Sequence, residues 1–288
     1  MKTILVPTDF SECSTATFPY AVLIAKKTGA KILLLHVLDV QGNTSDAPYM
    51  IAAMNTTKVR MQKLMREPIL KGVEVTDAIE VGSISRKVNE AAKKHKADMI
   101  VMGTHGASGW HEAFIGSNAE RIVRDADVPV LSIKNKIKNL KLENIIYATD
   151  FSEETFIVFP IIKKIAQTIG AKLDLMKVVT RIDFETTRET QKSINRFKKK
   201  AGAQEHSVFI YYDDVKQEGI RGYANTMKAD MIALGTHGRH GLSHFFNGSI
   251  AEDLVNHSPL PVLTINIHKK LMKPEVEIQS QKKSSTRT

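Results

Sequence analysis

Cysteine is nearly absent from this sequence of 288 residues: Cys13 is the only one, so no intramolecular disulfide can form. Long apolar runs are missing too, and none approaches the roughly 18 residues that a membrane span requires. The first seven residues lead directly into a strand-like segment, without the h-region or cleavage site of a secretion signal. These absences favour a cytoplasmic protein that does not bind membranes.

Recognisable nucleic-acid motifs are also missing. The sequence contains no helix-turn-helix, zinc-finger or aromatic-rich RNA-binding pattern, so we expect no sequence-specific nucleic-acid partner. The formal net charge of +10 comes in part from Arg196–Lys200 and from the segment 269–288. This charge has two interpretations: solvated helix faces with a flexible tail, or an attraction for anions such as nucleotides or nucleic acid.

What the chain does contain is an internal repeat. The segment from Gly103 to Ser117 begins Gly-Thr-His-Gly and ends Gly-Ser, and the segment from Gly235 to Ser249 repeats this with the same spacing, Gly-x2-Gly-x9-Gly-Ser. Flanking segments match at offsets of 141 residues early in the copy and 132 residues late in it. A unit of this length is a whole domain rather than a short structural repeat. We predict tandem domains at 1–134 and 142–268, a linker at 135–141 and a flexible basic tail at 269–288.

Each copy alternates short apolar strands with amphipathic helices, which is typical of an α/β domain with a parallel sheet. Pro19 is expected to bend or weaken the first turns of the first long helix. Right-handed crossovers in such a fold place functional loops at the carboxyl ends of the strands. In the first copy we predict strands at 3–8, 31–38, 72–80, 97–102 and 128–133. In the second copy we predict strands at 143–149, 172–179, 205–211, 230–236 and 261–267, and helices at 154–169, 185–201, 215–227 and 249–256.

Two features at predicted strand ends indicate a binding crevice. Asp9 ends the first strand and a glycine-rich loop follows the fourth. In a flavodoxin-like order these strands are neighbours, and the sheet opens a crevice between them. Asp9 would bind the hydroxyls or base of a nucleoside, while N–H groups around Gly116 and Ser117 would hold phosphates. The alternative is a tight loop with a helix cap, and the repetition favours the binding site. The loop is neither a Walker A motif nor the Gly-x-Gly-x-x-Gly fingerprint.

Catalytic groups are not evident in either copy. His105 and His237 occupy matching loop positions, but no Ser or Cys nucleophile stands beside them, so we interpret them as loop or phosphate contacts. We interpret His36 as a hydrogen-bonded core histidine and Cys13 as a small residue at a helix start rather than a redox-sensitive thiol. We predict no catalytic residue and no metal ligand; Mg²⁺ carried in with nucleotide phosphates is left open.

Several motifs occur in both copies. In the first they are Val6-Pro-Thr-Asp9, His36-Val37, Met102-Gly-Thr-His-Gly106, Gly116-Ser117 and Val128-Pro-Val-Leu131, and in the second Ala148-Thr-Asp150, Lys177-Val178, Leu234-Gly-Thr-His-Gly238, Gly248-Ser249 and Leu260-Pro-Val-Leu263. They resemble the universal stress protein family, and their spacing resembles its ATP-binding branch. The resemblance implies two tandem flavodoxin-like, Rossmann-like (adenine nucleotide alpha hydrolase-like) domains. Each would be a five-stranded parallel sheet in the order 3-2-1-4-5 with helices on both faces, and the implied ligand is ATP, ADP or AMP.

The resemblance also implies the contacts of that ligand. By motif position, the adenosine end meets Pro7, Asp9 and Val37, the ribose lies near Met102 and Gly103, and the phosphates meet Gly106, Gly116, Ser117 and Asn118. The counterparts in the second copy are Ala148, Asp150, Val178, Leu234, Gly235, Gly238, Gly248, Ser249 and Ile250. Ala148 replaces a proline and Lys177 a histidine, which alters the surroundings of the base there. Both copies are nevertheless expected to bind nucleotide.

Three functions are open on this evidence from the sequence. The first is a stress-response or regulatory protein in which ATP changes the conformation or a partner surface with little or no turnover. The second is a slow Mg-dependent ATP hydrolase or phosphotransferase, and the third is a nucleotide-free interaction scaffold. The family pairs its fifth strands across a two-fold axis. Val130-Leu131 and Val262-Leu263 are therefore expected to pair within this chain as a pseudo-dimer, with homodimerisation left open.

Overall fold

The computed structural model describes residues 1–39, 47–104, 116–134, 140–236 and 248–267. The predicted tail at 269–288 and most of the predicted linker lie outside these residues, as do Gly106, Gly238 and the two loop histidines. The first copy denotes residues 1–134 and the second copy residues 142–268.

The first copy contains five strands and five α-helices among its described residues. The strands are β1 Thr3–Pro7, β2 Lys31–Leu38, β3 Val75–Val81, β4 Met99–Gly103 and β5 Val130–Ile133. The helices are α1 Glu12–Thr15, α2 Phe18–Thr28, α3 Ala47–Met65, α4 Ile84–Lys94 and α5 Ser117–Asp125, with a 3₁₀ turn at Pro68–Leu70.

The second copy repeats this order with one short helix fewer among its described residues. Its strands are β6 Asn144–Ala148, β7 Lys172–Val179, β8 Val208–Tyr212, β9 Met231–Thr236 and β10 Val262–Asn266. Its helices are α6 Thr155–Ile169, α7 Thr187–Ala201, α8 Lys216–Thr226 and α9 Gly248–His257. Every predicted element of this copy is present, with its ends within three residues of the predicted ones.

Pro19 and Pro160 occupy different positions in the first long helix of their copies. Pro19 lies in the first turn of α2, where a helix has no use for the missing N–H group, so the expected weakening of α2 is wrong. The chain breaks instead before Phe18 and forms the short α1. Pro160 lies inside α6, which runs without interruption from Thr155 to Ile169. Both α2 and α6 end at a glycine in the left-handed conformation, Gly29 with φ 69° and Gly170 with φ 67°.

The strands form one ten-stranded sheet in the order β3-β2-β1-β4-β5-β10-β9-β6-β7-β8. Within each copy the neighbours are parallel and the order is 3-2-1-4-5, which confirms the predicted fold class. The copies meet at β5 and β10, which pair antiparallel with Leu131 opposite Leu263. The carboxyl ends of the strands therefore point to one rim of the sheet in the first copy and to the opposite rim in the second.

The helices form a layer on each face of the sheet. Helices α2, α3, α6 and α7 cover one face over a single apolar core that runs through both copies. Helices α4 and α5 cover the other face of the first copy, and α8 and α9 that of the second, over separate cores. The copies are also joined by Lys27, whose Nζ donates to the carbonyl of Ile169 at 2.5 Å, and by Asn266, whose amide donates to the carbonyl of Arg124 at 2.5 Å. None of the helices in the described ranges is both long enough and apolar enough to cross a bilayer.

Candidate functional site

A cavity of about 270 Å³ lies in the first copy where the strand order reverses, between the carboxyl ends of β1 and β4. We call it the first crevice. Its walls come from the ends of β1, β2 and β4 and from the starts of α4 and α5. Eight of the nine residues predicted for this copy line it, namely Pro7, Asp9, Val37, Met102, Gly103, Gly116, Ser117 and Asn118. The ninth, Gly106, lies outside the described residues.

Asp9 is held by a tight turn at the end of β1. Its Oδ1 accepts hydrogen bonds from the backbone N–H of Ser11 at 3.0 Å and from the Ser11 hydroxyl at 2.5 Å. Phe10 adopts a left-handed φ of 64°, and its N–H donates to the hydroxyl of Thr8 at 3.1 Å. These contacts fix the carboxylate through one oxygen, and Oδ2 has no hydrogen-bond partner among the described residues. Asp9 can therefore accept hydrogen bonds from a ligand at Oδ2.

His36 is fixed in one tautomer beside this turn. Its Nδ1 lies 2.8 Å from the carbonyl oxygen of Thr8, and because a carbonyl only accepts, Nδ1 carries the proton. Burial lowers the pKa of His36, and the cation of Arg60 reinforces the effect against the opposing Thr8 carbonyl and Asp9. The imidazole stacks 4.6 Å from the ring of Phe10, whose ring also carries the Arg60 guanidinium at 4.3 Å. His36 is thus the hydrogen-bonded residue expected from the sequence, and it also lines the crevice.

Gly116 occupies the N-cap of α5, facing the crevice. Its φ of −59° and ψ of 136° suit any residue, and a Cβ added there would lie 3.6 Å from the Thr104 carbonyl, an ordinary contact. Neither the backbone conformation nor packing against the described residues therefore requires glycine at this position. Helix α5 has no side-chain N-cap, so the N–H groups of its first turn are open to the crevice. Such a helix start favours a bound anion.

Residues of the α4 start were not anticipated. Ile84 and Val88 form an apolar wall of the first crevice opposite the predicted set. They belong to the apolar face of α4, whose middle residues pack on the sheet. The 3.6-residue spacing of apolar residues indicates that this helix has an apolar face. It does not indicate that the first turn of α4 reaches the crevice, because that depends on how the folded chain positions α4 relative to β4.

The second copy repeats the turn, and the crevice formed by its described residues is smaller. Ser152 N–H donates to Asp150 Oδ1 at 2.9 Å, and Phe151 takes a φ of 61°. The cavity there, the second crevice, measures about 20 Å³. Of the predicted residues, Ala148, Asp150, Val178 and Ile250 line it. Leu234 is fully buried in the sheet, Ser249 is exposed, and Gly248 begins α9.

A lysine held in an ion pair lines the second crevice. Lys216 begins α8 at the position that corresponds to Ile84, and its Nζ lies 2.7 Å from Asp183 Oδ2. Thr180 also donates to Asp183, through its N–H at 2.9 Å and through its hydroxyl. Burial by itself would raise the pKa of Asp183, but the hydrogen bonds from Lys216 and Thr180 outweigh it and lower that pKa. Asp183 is therefore ionised at neutral pH and holds Lys216 in place.

Gly235, which is predicted to lie near a ribose, lies where neighbouring core side chains leave no room for a larger residue. A Cβ added to Gly235 would lie 2.8 Å from Cδ1 of Ile267 and 3.3 Å from Cγ2 of Val158. Both belong to the core under α6, away from the second crevice. Close packing of Ile267, and less tightly of Val158, against β9 therefore accounts for the glycine.

Alanine substitutions should separate the roles of the two glycines. We expect Gly235→Ala to lower the free energy of unfolding by about 1–3 kcal/mol, because the added methyl group overpacks the core. Gly116→Ala should change it by less than about 1 kcal/mol. Guanidinium denaturation followed by circular dichroism measures both. Equal losses for the two variants would contradict the assignment of Gly235 to packing.

Two observations on the described residues bear on nucleophilic and metal chemistry. Cys13 is buried, and burial together with the nearby Asp9 raises the pKa of its thiol, so it is protonated at neutral pH. No cluster of three or more His, Cys, Asp or Glu residues that could hold a metal ion occurs within the described ranges. The first crevice offers no Lys or Arg among its described lining residues.

Each copy is a doubly wound α/β domain with parallel strands in the order 3-2-1-4-5, and the first copy has a crevice at the point where the strand order reverses. The sequence model of the universal stress protein family matches residues 1–134 and again residues 141–266. The chain therefore belongs to the universal stress protein family, as a tandem member.

Relatives that match about half of the chain and relatives that match nearly all of it agree with this assignment. Universal stress protein MJ0531 of Methanocaldococcus jannaschii is 32% identical over 145 residues, which cover 48% of this chain and 84% of the relative. Universal stress protein Slr1230 of Synechocystis sp. is 23% identical over 298 residues, covering 92% of this chain and 99% of the relative. A crystal structure of a universal stress protein from Archaeoglobus fulgidus matches with a TM-score of 0.75 at 20% identity, covering 92% of this chain and 98% of that one. The tandem fold is thus shared along almost the whole chain.

Proposed function

We propose that the chain binds one adenine nucleotide, ATP or its product ADP or AMP, in the first crevice. The observation that carries this proposal is the convergence of eight motif residues on one cavity beside an uncapped helix start. The cavity is mostly apolar at the end formed by Val37, Ile84 and Val88, which suits a base. Oδ2 of Asp9 would accept from the ribose hydroxyls, and the first turn of α5 would hold the phosphates.

The nucleotide acts in this proposal as a regulatory ligand of a stress-response protein, with little or no turnover. Rapid phosphoryl transfer needs cations or donors aimed at the developing charge and a group that orients the nucleophile. The described lining of the first crevice contains no Lys or Arg; its N–H donors at the start of α5 are assigned to holding the phosphates, and its one carboxylate, Asp9, to the ribose. Mg²⁺ would enter with the phosphates rather than through a protein site.

The second crevice is proposed to stay empty of nucleotide. Its volume of about 20 Å³ is less than a tenth of that of the first, and its described walls include the Lys216 side chain paired to Asp183. Ile250 stands where the first copy has Asn118, so an amide that can donate to phosphate is replaced by an apolar side chain. The sequence alone predicts that both copies bind. The smaller volume and the different lining residues of the second crevice favour a single nucleotide site, in the first copy.

Calorimetric titration of the full chain with ATP, with and without MgCl₂, tests this proposal. We expect saturable binding with a stoichiometry near one. The paired variant Lys216→Ile, which restores the residue of the first copy, should leave the first site unchanged and open a second, weaker one. A stoichiometry of two for the unmodified chain would reject the single-site part. The absence of any binding heat, with no retention on equilibrium dialysis, would reject the nucleotide itself. Phosphate release faster than in a protein-free control would favour the hydrolase.

A further inference from the structure

Charge is distributed unevenly between the two helical layers. Helices α2, α3, α6 and α7 together contain thirteen Lys or Arg residues and one acidic residue, Glu189. Helices α4, α5, α8 and α9 contain eight basic and six acidic residues. We call the solvent side of the first layer the basic face. Nearly all of the formal excess of positive charge in the described helices therefore lies on one side of the sheet.

Ion pairs leave this asymmetry in place. On the opposite layer, Arg221 pairs with Glu218 and with Asp253 at 2.5 Å, and Arg124 pairs with Glu120 at 2.9 Å. The acidic residues that pair with cations of the basic face lie outside its four helices. Glu153, just before α6, lies 3.5 Å from Arg196 and 3.4 Å from Lys200, and Glu205, after α7, lies 2.7 Å from Lys163. No carboxylate of the described part of the chain pairs with the exposed Lys26, Lys58, Lys63, Arg188, Lys192 or Lys199.

The basic face is one continuous surface, and its cations on α7 are regularly spaced. The apolar core beneath α2 and α6 joins the copies, so the four helices form one surface rather than two patches. On α7, Arg188, Lys192, Arg196 and Lys200 follow each other at four-residue intervals, which places successive cations roughly 6 Å apart along one side of the helix. A row of regularly spaced cations on a broad surface fits a long polyanion better than a single small anion.

We propose that the basic face binds duplex nucleic acid through its phosphate backbone, without reading sequence. An anionic bilayer is the competing partner, but peripheral helices that bind bilayers also expose large apolar side chains. Among the described side chains, α2, α6 and α7 expose no large apolar residue and α3 exposes Ile51 and Val59, while Ile182 and Phe184 are exposed in the loop before α7. The first crevice lies at a rim of the sheet and not on this face, so duplex binding does not depend on the nucleotide proposal. Phosphate contacts of this kind supply affinity and strong salt dependence but no base specificity.

Fluorescence anisotropy with a labelled 30-base-pair DNA duplex and an RNA duplex of the same sequence tests the proposal. We expect micromolar binding of the full chain at 50 mM salt and a linear fall of log K with log salt concentration. The variant K58Q/K192Q/K199Q, which removes three unpaired cations of the basic face, should weaken binding about tenfold or more and reduce the salt slope by about 2–3. A duplex of unrelated sequence should bind equally.

Two controls make the result specific to this face. The variant K93Q/K94Q/R121Q removes the same charge from the opposite layer and should change binding by less than about twofold. Replacing Lys269, Lys270, Lys282 and Lys283 by Gln tests the basic C-terminal segment in the same way. Equal losses for the two layers, or complete loss with the C-terminal variant, would overturn the assignment to the basic face. Sedimentation with phosphatidylserine vesicles, but no shift with either duplex, would assign the face to membranes instead.

Discussion

Gly116→Val should remove ATP binding by the first crevice while the fold stays intact. Valine at this N-cap places a branched side chain over the first turn of α5, where the open N–H groups face the cavity. Each lost hydrogen bond to a charged phosphate weakens binding by about 1.5–3 kcal/mol, so we expect the dissociation constant to rise at least about 100-fold. The free energy of unfolding should fall by only about 1 kcal/mol, because the site tolerates a Cβ in both conformation and space.

The same change in the second copy is the matched control. Gly248→Val alters the corresponding position at the start of α9, two residues before Ile250, which lines the second crevice together with Lys216. Because we expect no nucleotide there, binding should stay within about twofold of the unmodified chain. Calorimetry measures both variants, and circular dichroism checks their folds. Loss of binding in Gly248→Val with retention in Gly116→Val would reverse the assignment of the two crevices.

Glu185→Gln is expected to destabilise the second copy by about 2–3 kcal/mol. Its partner Lys177 sits in β7 with a side chain that is 2% exposed, and the Lys177 Nζ lies 2.7 Å from Glu185 Oε2. Removing one partner of a buried pair leaves the other charge without compensation, which typically costs about 3–5 kcal/mol. We expect somewhat less here, because the Glu185 side chain is 30% exposed and water can reach it. Guanidinium denaturation monitored by circular dichroism gives the measurement.

A rescue variant distinguishes the buried charge from the lost contact. The double variant Lys177→Met/Glu185→Gln removes both charges, and its free energy of unfolding should return to within about 1 kcal/mol of that of the unmodified chain. Glu153→Gln breaks an exposed pair with Arg196 and should change the free energy by less than about 0.5 kcal/mol. If the double variant were as unstable as Glu185→Gln, the uncompensated charge would not be the cause.

The fold was predictable because local and repeated signals agree. The motif that begins at Gly103 and recurs at Gly235 indicated two copies, and alternating apolar periods located strands and helices within three residues in the second copy. The convergence of Asp9 with Gly116 was also predictable, since parallel strands bring their carboxyl ends to one rim. These inferences need only periodicity and the handedness of crossovers.

Contacts between residues distant in the chain could not be predicted from the sequence pattern. Nothing local indicates that Lys216 pairs with Asp183 across 33 positions and lines a crevice, or that Gly235 is required by Ile267 and Val158. Pro19 was misjudged because its effect depends on where α2 begins, and a shift of a few residues turns a helix breaker into a first-turn residue. The two copies share a pattern, but the side chains that fill each crevice come from elements whose approach only the folded chain defines.

The antiparallel contact between β5 and β10 also separates the two crevices. Since it turns the two copies end to end, the first crevice opens at one rim of the molecule and the second at the other. A molecule that docked over the crevice at one rim would therefore not contact the crevice at the other. Under the proposed single-site function, the second crevice can change without affecting nucleotide binding at the first, while both copies still fold around a common core.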